Sequence, residues 1–441
     1  MAERPYISRK IDDDLLSWAR EKNRKPLLLR GARQVGKSSS VRHLAGQFDH
    51  FLEVNFESGN DARSLFAKSD LSPSRLCQEL AAIYQTPVTP GKTLLFLDEI
   101  QSCLPAISSL RFFYEEYGDL HVIAAGSLLE FAFQELPSFG VGRVRSMFMY
   151  PMNFAEFLNA CGRQLLLDAI QKADCDNPLS EPVHKKAVEL LKLFFIIGGM
   201  PEAVSAYANN SDLLSCQRIL DDLVISLKSD FSKYKKKVSA LQLSAVFDSV
   251  TAQMGKKYVY TDISKDYNSR QVKEGMELLI MSGLVIPVVH SASNGIPLGA
   301  ETDNKKKKLL LLDTGIFQRL LGLPLSDLLT SDDFSLVNKG NIAELFAGLE
   351  ILKSTSCYEK KELYYWHREN KSSNAEVDYV VQCGQSIIPI EVKSGTKGAM
   401  QSMNLFIKEK QPPFGIRTSL ENFGKLPCIK IVPLYALNGF I

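Results

Sequence analysis

Short apolar runs alternate with polar, helix-compatible stretches over the first third of the chain. Five of them, Leu27–Arg30, Phe51–Phe56, Leu94–Asp98, His121–Ala125 and Arg145–Tyr150, read as strands, with helical or turn-rich segments between. Strands separated in this way predict a mostly parallel sheet covered on both faces by helices. From Asn153 to Leu227 the apolar spacing turns helical, punctuated by Gly198-Gly199-Met200-Pro201. Apolar-striped helices are expected near 241–254 and 269–282. An extended piece from Leu284 to His290 and a loop at 293–297 follow, and Lys305-Lys306-Lys307-Lys308 leads into a strand Leu309–Asp313. Helices followed by a two-stranded hairpin outline a winged helix-turn-helix. The last stretch reads as helix Gly340–Lys353, strands Leu363–His367, Glu376–Gln382 and Ile387–Ser394, helix Met400–Lys410 and strand Ile429–Leu434. The expected class is α/β, in four regions: a core over 1–160, a helical lid over 161–228, a winged-helix-like segment over 229–335 and a second α/β domain over 336–441.

The turn after the first strand carries the first chemistry. Gly31-Ala32-Arg33-Gln34-Val35-Gly36-Lys37-Ser38 fits G-x-x-x-x-G-K-[ST], in which two glycines let backbone N–H groups turn inward around an anion. Lys37 is placed to reach the β- and γ-phosphates of a nucleoside triphosphate and Ser38 to ligate Mg²⁺, while Ser39 continues into a helix whose N-terminus faces the phosphates. The strand Thr93-Leu94-Leu95-Phe96-Leu97 ends in Asp98-Glu99. Asp98 is the expected carboxylate toward Mg²⁺, and Glu99 the expected base that polarises the attacking water. Ser127, after the fourth strand, is a candidate sensor of the γ-phosphate. Arg143 is a candidate arginine finger, acting within or between subunits, so a homo-oligomer is among the expected partners. A surface arginine paired with a carboxylate is the competing reading.

The motifs Gly-Ala-Arg-Gln-Val-Gly-Lys-Ser, Leu-Asp-Glu-Ile-Gln (97–101), Gly-Ser (126–127), Gly-Arg (142–143), Pro-Met-Asn-Phe-Ala-Glu-Phe (151–157) and Gly-Gly-Met-Pro (198–201) occur in this order. Together they resemble a prokaryotic family of AAA-type P-loop ATPases that carry a C-terminal "domain of unknown function 4143". The resemblance implies an AAA-like nucleotide fold, with the phosphate-loop strand beside the strand that bears Ser127, and ATP with Mg²⁺ as its ligands.

A second pattern lies near the C-terminal end. In Ile390-Glu391-Val392-Lys393, residues two apart share a face, so Glu391 and Lys393 project together, as do Glu376 and Asp378 on the preceding strand. Glu344 lies upstream on a helix. The order Glu, Asp, Glu-x-Lys resembles the restriction-endonuclease-like core with its PD-(D/E)-x-K pattern. By that resemblance Asp378 and Glu391 are metal ligands, Lys393 the catalytic lysine and Glu344 an accessory carboxylate. Nuclease-like domains also serve as binding modules, and cleavage stays open at this point.

Composition narrows this picture modestly. The 441 residues are 45% hydrophobic and 23% charged, with a formal net charge of +2, so any nucleic-acid surface has to be local. Lys233-Tyr234-Lys235-Lys236-Lys237, Lys256-Lys257 and Lys305–Lys308 supply candidate local surfaces for sequence-tolerant phosphate contacts. The eight cysteines show no C-x-x-C pairing, which points to reduced thiols in a cytoplasmic protein, and no apolar run is long enough to span a membrane. The expectation is ATP-dependent handling of nucleic acid. The alternatives are an ATP-gated signalling switch or a protein-remodelling ATPase whose C-terminal domain only binds a partner.

Overall fold

The computed structural model describes residues 6–58, 60–136, 140, 142–234, 238–261, 267–323, 339–368, 375–394 and 400–441. The chain divides into two compact units. One comprises Met1–Pro151, Met281–Gly283 and Ser356–Lys360, and the other Met152–Ile280, Leu284–Thr355 and Lys361–Ile441.

The first unit holds β1 (Leu27–Arg30), β2 (His50–Asn55), β3 (Thr93–Asp98), β4 (His121–Gly126) and β5 (Arg145–Phe148), ordered β2-β3-β4-β1-β5 with every neighbour parallel. Both β3 and β4 are buried along their whole length, which is why they read as unbroken apolar runs rather than as alternating ones. Leu28, Val54, Leu97 and Val122 on one sheet face pack with Ile107, Leu110 and Phe113 of the helix Leu104–Glu116. The β1 strand lies between β4 and β5, so the ends of β1, β3 and β4 deliver their turns to one rim of the sheet. Trp18 is fully buried, and its indole N–H donates to Lys25 O at 2.9 Å.

The second unit opens with five helices, Phe154–Ala160, Gln164–Lys172, Glu181–Ile197, Pro201–Asn210 and Leu213–Ser229. Two of the sequence motifs prove to be local packing devices here. Asn153 caps the first helix: its side chain accepts from Glu156 N and its own N–H donates to the Glu156 carboxylate, each at 2.8 Å. Gly198 stops the long third helix at φ +72°, and a Cβ there would sit 2.1 Å from Asp313 Oδ1. Asp313 is buried because it is fully used, accepting from Gly199 N at 2.6 Å and Ile316 N at 3.0 Å.

Helices Ala240–Ala252 and Ser269–Met281 come next, then the hairpin β6 (Val285–Ser291) and β7 (Thr302–Leu311). After helix Lys339–Lys353, strands β8 (Leu363–His367), β9 (Glu376–Cys383) and β10 (Ser386–Val392) form an antiparallel meander. Helix Gln401–Lys410 leads to β11 (Gly415–Ser419), β12 (Gly424–Leu426) and β13 (Ile429–Pro433). All eight strands join one sheet, ordered β12-β13-β11-β10-β9-β8-β6-β7. The hairpin is therefore not a free wing: Val288, Val289 and His290 of β6 pair in parallel with Leu363, Tyr364 and Tyr365 of β8. The β7 strand also starts earlier than its apolar residues suggested and takes the four lysines into the ladder. Lys235, Lys236 and Lys237 lie outside the described residues. All eight cysteines are free thiols, and among the described residues no helix is long and apolar enough to cross a membrane.

Candidate functional sites

The phosphate loop is shaped by backbone that only particular residues adopt. Gly31 has φ +153°, and a Cβ there would lie 2.1 Å from Met149 O, so no side chain fits. Gln34 at φ +62° and Gly36 at φ +101° complete the turn into the helix Lys37–Ala45. Lys37 is 7% exposed, and its ammonium donates to Gly31 O at 2.9 Å and Ala32 O at 2.7 Å, which folds the side chain back over its own loop. Burial pushes its pKa down to about 8, against the opposing charges of Glu99 and Asp98.

Ser38 Oγ donates to Asp98 Oδ2 at 3.0 Å, so the helix start and the end of β3 meet. Asp98 Oδ1 accepts from Glu99 N at 3.0 Å, and burial raises the Asp98 pKa above the ordinary carboxylate value. Glu99 adopts φ +50°, and its carboxylate accepts from Gln101 Nε2 at 2.5 Å. Ser127 accepts from Arg33 Nε at 3.2 Å, and the same guanidinium reaches Glu57 Oε1 at 2.8 Å. The structure thus gathers Lys37, Ser38, Asp98 and Glu99 through hydrogen bonds and charge, and it ties Ser127 to Arg33. Ser39 and Gln34 are exposed. Arg143 pairs with Glu115 at 3.0 Å, and both side chains are half-exposed.

Two contributors were not foreseen from the sequence. Gln101 orients Glu99, and its position two residues downstream was a signal available in the motif. Arg9, 7% exposed, donates to Val35 O within the loop and to Tyr150 O beyond β5, each at 2.8 Å. Nothing local to Arg9 announces that role.

In the second unit the expected carboxylates also gather, but around a lysine that was assigned elsewhere. Lys308 is 1% exposed and cannot lie along a nucleic-acid backbone, which corrects that part of the four-lysine reading. Its ammonium lies 2.9 Å from Glu344 Oε1, 2.5 Å from Glu376 Oε1 and 3.7 Å from Asp378 Oδ1. Burial alone would lower the Lys308 pKa, but Glu344, Asp378 and Glu376 outweigh it and hold the value above that of an ordinary lysine. Asp378 Oδ2 accepts from Val392 N at 2.8 Å, while Glu391 Oε1 accepts from Lys393 Nζ at 2.7 Å. Burial and the Asp378 charge push the Glu391 pKa up to about 7. Burial does the same for Glu344, with Lys308 opposing it. Among the described residues, no group of three or more His, Cys, Asp or Glu is arranged to hold a metal ion. The donor set does not fit a divalent cation while Lys308 stands in it.

Comparison with known families agrees with the ends of the chain. An AAA domain matches residues 23–158, a domain of unknown function (DUF8612) residues 188–327, and a domain of unknown function (DUF4143) residues 339–437. The chain carries an N-terminal AAA domain of P-loop ATPase type and a C-terminal DUF4143 domain. No curated protein matches it. Among solved structures, the Walker-type ATPase PABY2304 of Pyrococcus abyssi is 14% identical at a TM-score of 0.46, covering 72% of this chain and 96% of that one. The Aeropyrum pernix ORC1 protein in complex with DNA is 14% identical at a TM-score of 0.31, covering 73% and 94%. At these scores neither likeness bears on function.

Proposed function

We propose that the chain binds ATP with Mg²⁺ and hydrolyses it at the rim formed by β1, β3 and β4. One observation carries this reading: Ser38 Oγ and Asp98 Oδ2 lie 3.0 Å apart, with Glu99 next in the chain. A hydroxyl and a carboxylate so placed fit Mg²⁺, and the Gly31 cradle, which a Cβ would fill, fits a phosphate group. When bound, Mg²⁺ neutralises charge that develops on the transferring phosphoryl group. Lys37 would leave the carbonyls of Gly31 and Ala32 and turn to the phosphates. Glu99, held by Gln101, takes the proton of the attacking water, and Ser127, held by Arg33, stands ready to hydrogen-bond the terminal phosphate. Arg143, paired with Glu115, would have to leave that carboxylate to act as a finger within or between subunits. Lys37→Ala is expected to lose ATP affinity, whereas Glu99→Gln should still bind ATP and barely hydrolyse it. Unchanged turnover in Glu99→Gln moves the base elsewhere.

The work coupled to hydrolysis is the handling of nucleic acid. Support comes from the helices Ala240–Ala252 and Ser269–Met281 and the β6–β7 hairpin, around which Lys256, Arg270, Lys273 and Lys305 are exposed. The C-terminal order of helix, three-stranded meander, helix and parallel strand supports a restriction-endonuclease-like domain, whose carboxylates are occupied by the Lys308 ammonium. Neutralising Lys256, Lys273 and Lys305 together should flatten the log–log salt dependence of DNA or RNA binding by about 2 to 3 units. No retention of either nucleic acid at low salt would instead favour a protein partner.

A further inference from the structure

Strand β7 lies at the edge of the sheet, next to β6, and it brings one cation to three carboxylates. Lys308 Nζ has Glu344 Oε1 at 2.9 Å, Glu376 Oε1 at 2.5 Å and Asp378 Oδ1 at 3.7 Å, with the Tyr365 ring centroid 5.4 Å away. Oxygens from a helix and a strand converging on a single positive atom are what a hard divalent cation also requires, with its ligands drawn in to about 2.1–2.5 Å. An ammonium meets the same oxygens, here by hydrogen bonds to Glu344 and Glu376 and by charge alone to Asp378, and it comes attached to the chain. Both cannot occupy one focus, because two cations a few ångströms apart in a buried site repel strongly.

The remainder of the cluster is consistent with a site built for a cation and filled by a side chain. Glu391 is 6% exposed. Its Oε1 takes the Lys393 ammonium at 2.7 Å, while its Oε2 is buried with no hydrogen-bond partner. Lys257, carried by the turn after helix Ala240–Ala252, stands 4.0 Å from Glu376, and the same turn closes on Glu344, where a Cβ on Gly255 would lie 3.2 Å from Oε2. Space for an additional hydrated ion is therefore limited on that side.

We propose that Lys308 takes the place of a divalent cation in the Glu344–Glu376–Asp378–Glu391 cluster, so that the natural chain holds this site together without metal. Removing the lysine alone turns the cluster into a site for Mg²⁺ or Mn²⁺. This inference is independent of the ATP reading. The lysine belongs to the hairpin rather than to the DUF4143 segment, so the cluster is completed by a strand that the segment does not contain.

The experiment uses the full chain in an Asp98→Ala background, which removes the carboxylate proposed to take Mg²⁺ beside the phosphate loop. Mn²⁺ is titrated by calorimetry and by loss of the free-ion EPR signal. The parent should show no saturable binding, Lys308→Ala should gain one equivalent, and Lys308→Ala with Asp378→Asn should lose it again. Should Lys308→Ala lack a cooperative melt without metal, Mn²⁺ is expected to restore it. The proposal is overturned if the parent already binds one Mn²⁺ that Asp378→Asn removes. It is equally overturned if folded Lys308→Ala binds none, or if Mn²⁺ fails to restore an unfolded one.

Discussion

Arg9→Met tests whether the phosphate loop is held from outside its own motif. The guanidinium is 7% exposed and donates at 2.8 Å to Val35 O in the loop and at 2.8 Å to Tyr150 O beyond β5. The backbone N–H of Arg9 donates to Asp12 Oδ2 at 2.7 Å and survives the substitution, so the segment's path is not the variable. Hydrogen bonds from a charged donor contribute about 1.5–3 kcal/mol each, so losing both costs up to about 3–6 kcal/mol, less whatever entering water recovers. Only the bond to Val35 bears directly on the loop. If its about 1.5–3 kcal/mol appears in nucleotide binding, affinity falls roughly 10- to 150-fold. Arg9→Lys, with a single ammonium on a flexible stem, should fall between the two. The assay is a fluorescent ATP-analogue titration beside a thermal melt. A melt lowered by several degrees with affinity within about threefold of the parent would refute the reasoning, because Arg9 would then brace the fold and not the loop.

Three further outcomes follow from buried groups. Lys37 titrates near 8 in the nucleotide-free chain and meets phosphates only as an ammonium, so ATP affinity should weaken as pH rises from 7 to 9, while a flat profile would remove Lys37 from the phosphates. Gly198→Ala forces a Cβ into Asp313 at a backbone φ of +72°, and a loss of about 3 kcal/mol is expected in denaturant melts; a shift below about 0.5 would mean that Asp313 has room to move. Glu344 and Glu391, both raised to about 7, hold protons in the folded chain that the unfolded chain releases above about 4.5. Their contribution to stability is therefore present at acid pH and lost as pH rises from about 5 through 7. Glu344→Gln with Glu391→Gln should flatten that part of the stability profile measured by urea melts, and an unaltered slope would place the titration elsewhere.

What the sequence made legible was local. The strands β1, β3 and β4 stand out because each is a compact apolar run bounded by polar turns, and the loop Gly31–Ser38 because its spacing is set by its own backbone. The β8–β10 meander was legible for the same reason, as was the shared face of Glu376 and Asp378. Long-range pairing left no such trace. The parallel ladder between Val288–His290 and Leu363–Tyr365 joins segments far apart in sequence, and either strand alone reads equally well as an edge. β11, Gly-Ile-Arg-Thr-Ser, is buried along its length but too polar in sequence to suggest it. Four consecutive lysines look like a solvated face, yet strand alternation sends Lys308 inward while Lys305 stays exposed. The charge that identifies the run as surface is the charge that the buried carboxylates require.

The continuity of the eight-stranded sheet also limits which pieces of this chain could be inherited or transplanted as units. A cut ahead of residue 339 would follow the DUF4143 match but strip β6 from β8. The severed part would display an unpaired backbone edge, a template for sticking to other copies, above Glu344, Glu376 and Asp378 left facing one another without their ammonium. A viable graft has to carry the hairpin along, so the smallest exchangeable cassette begins no later than β6. Related chains that shuffle their C-terminal parts should then break and rejoin upstream of that strand rather than at the boundary between the matched families.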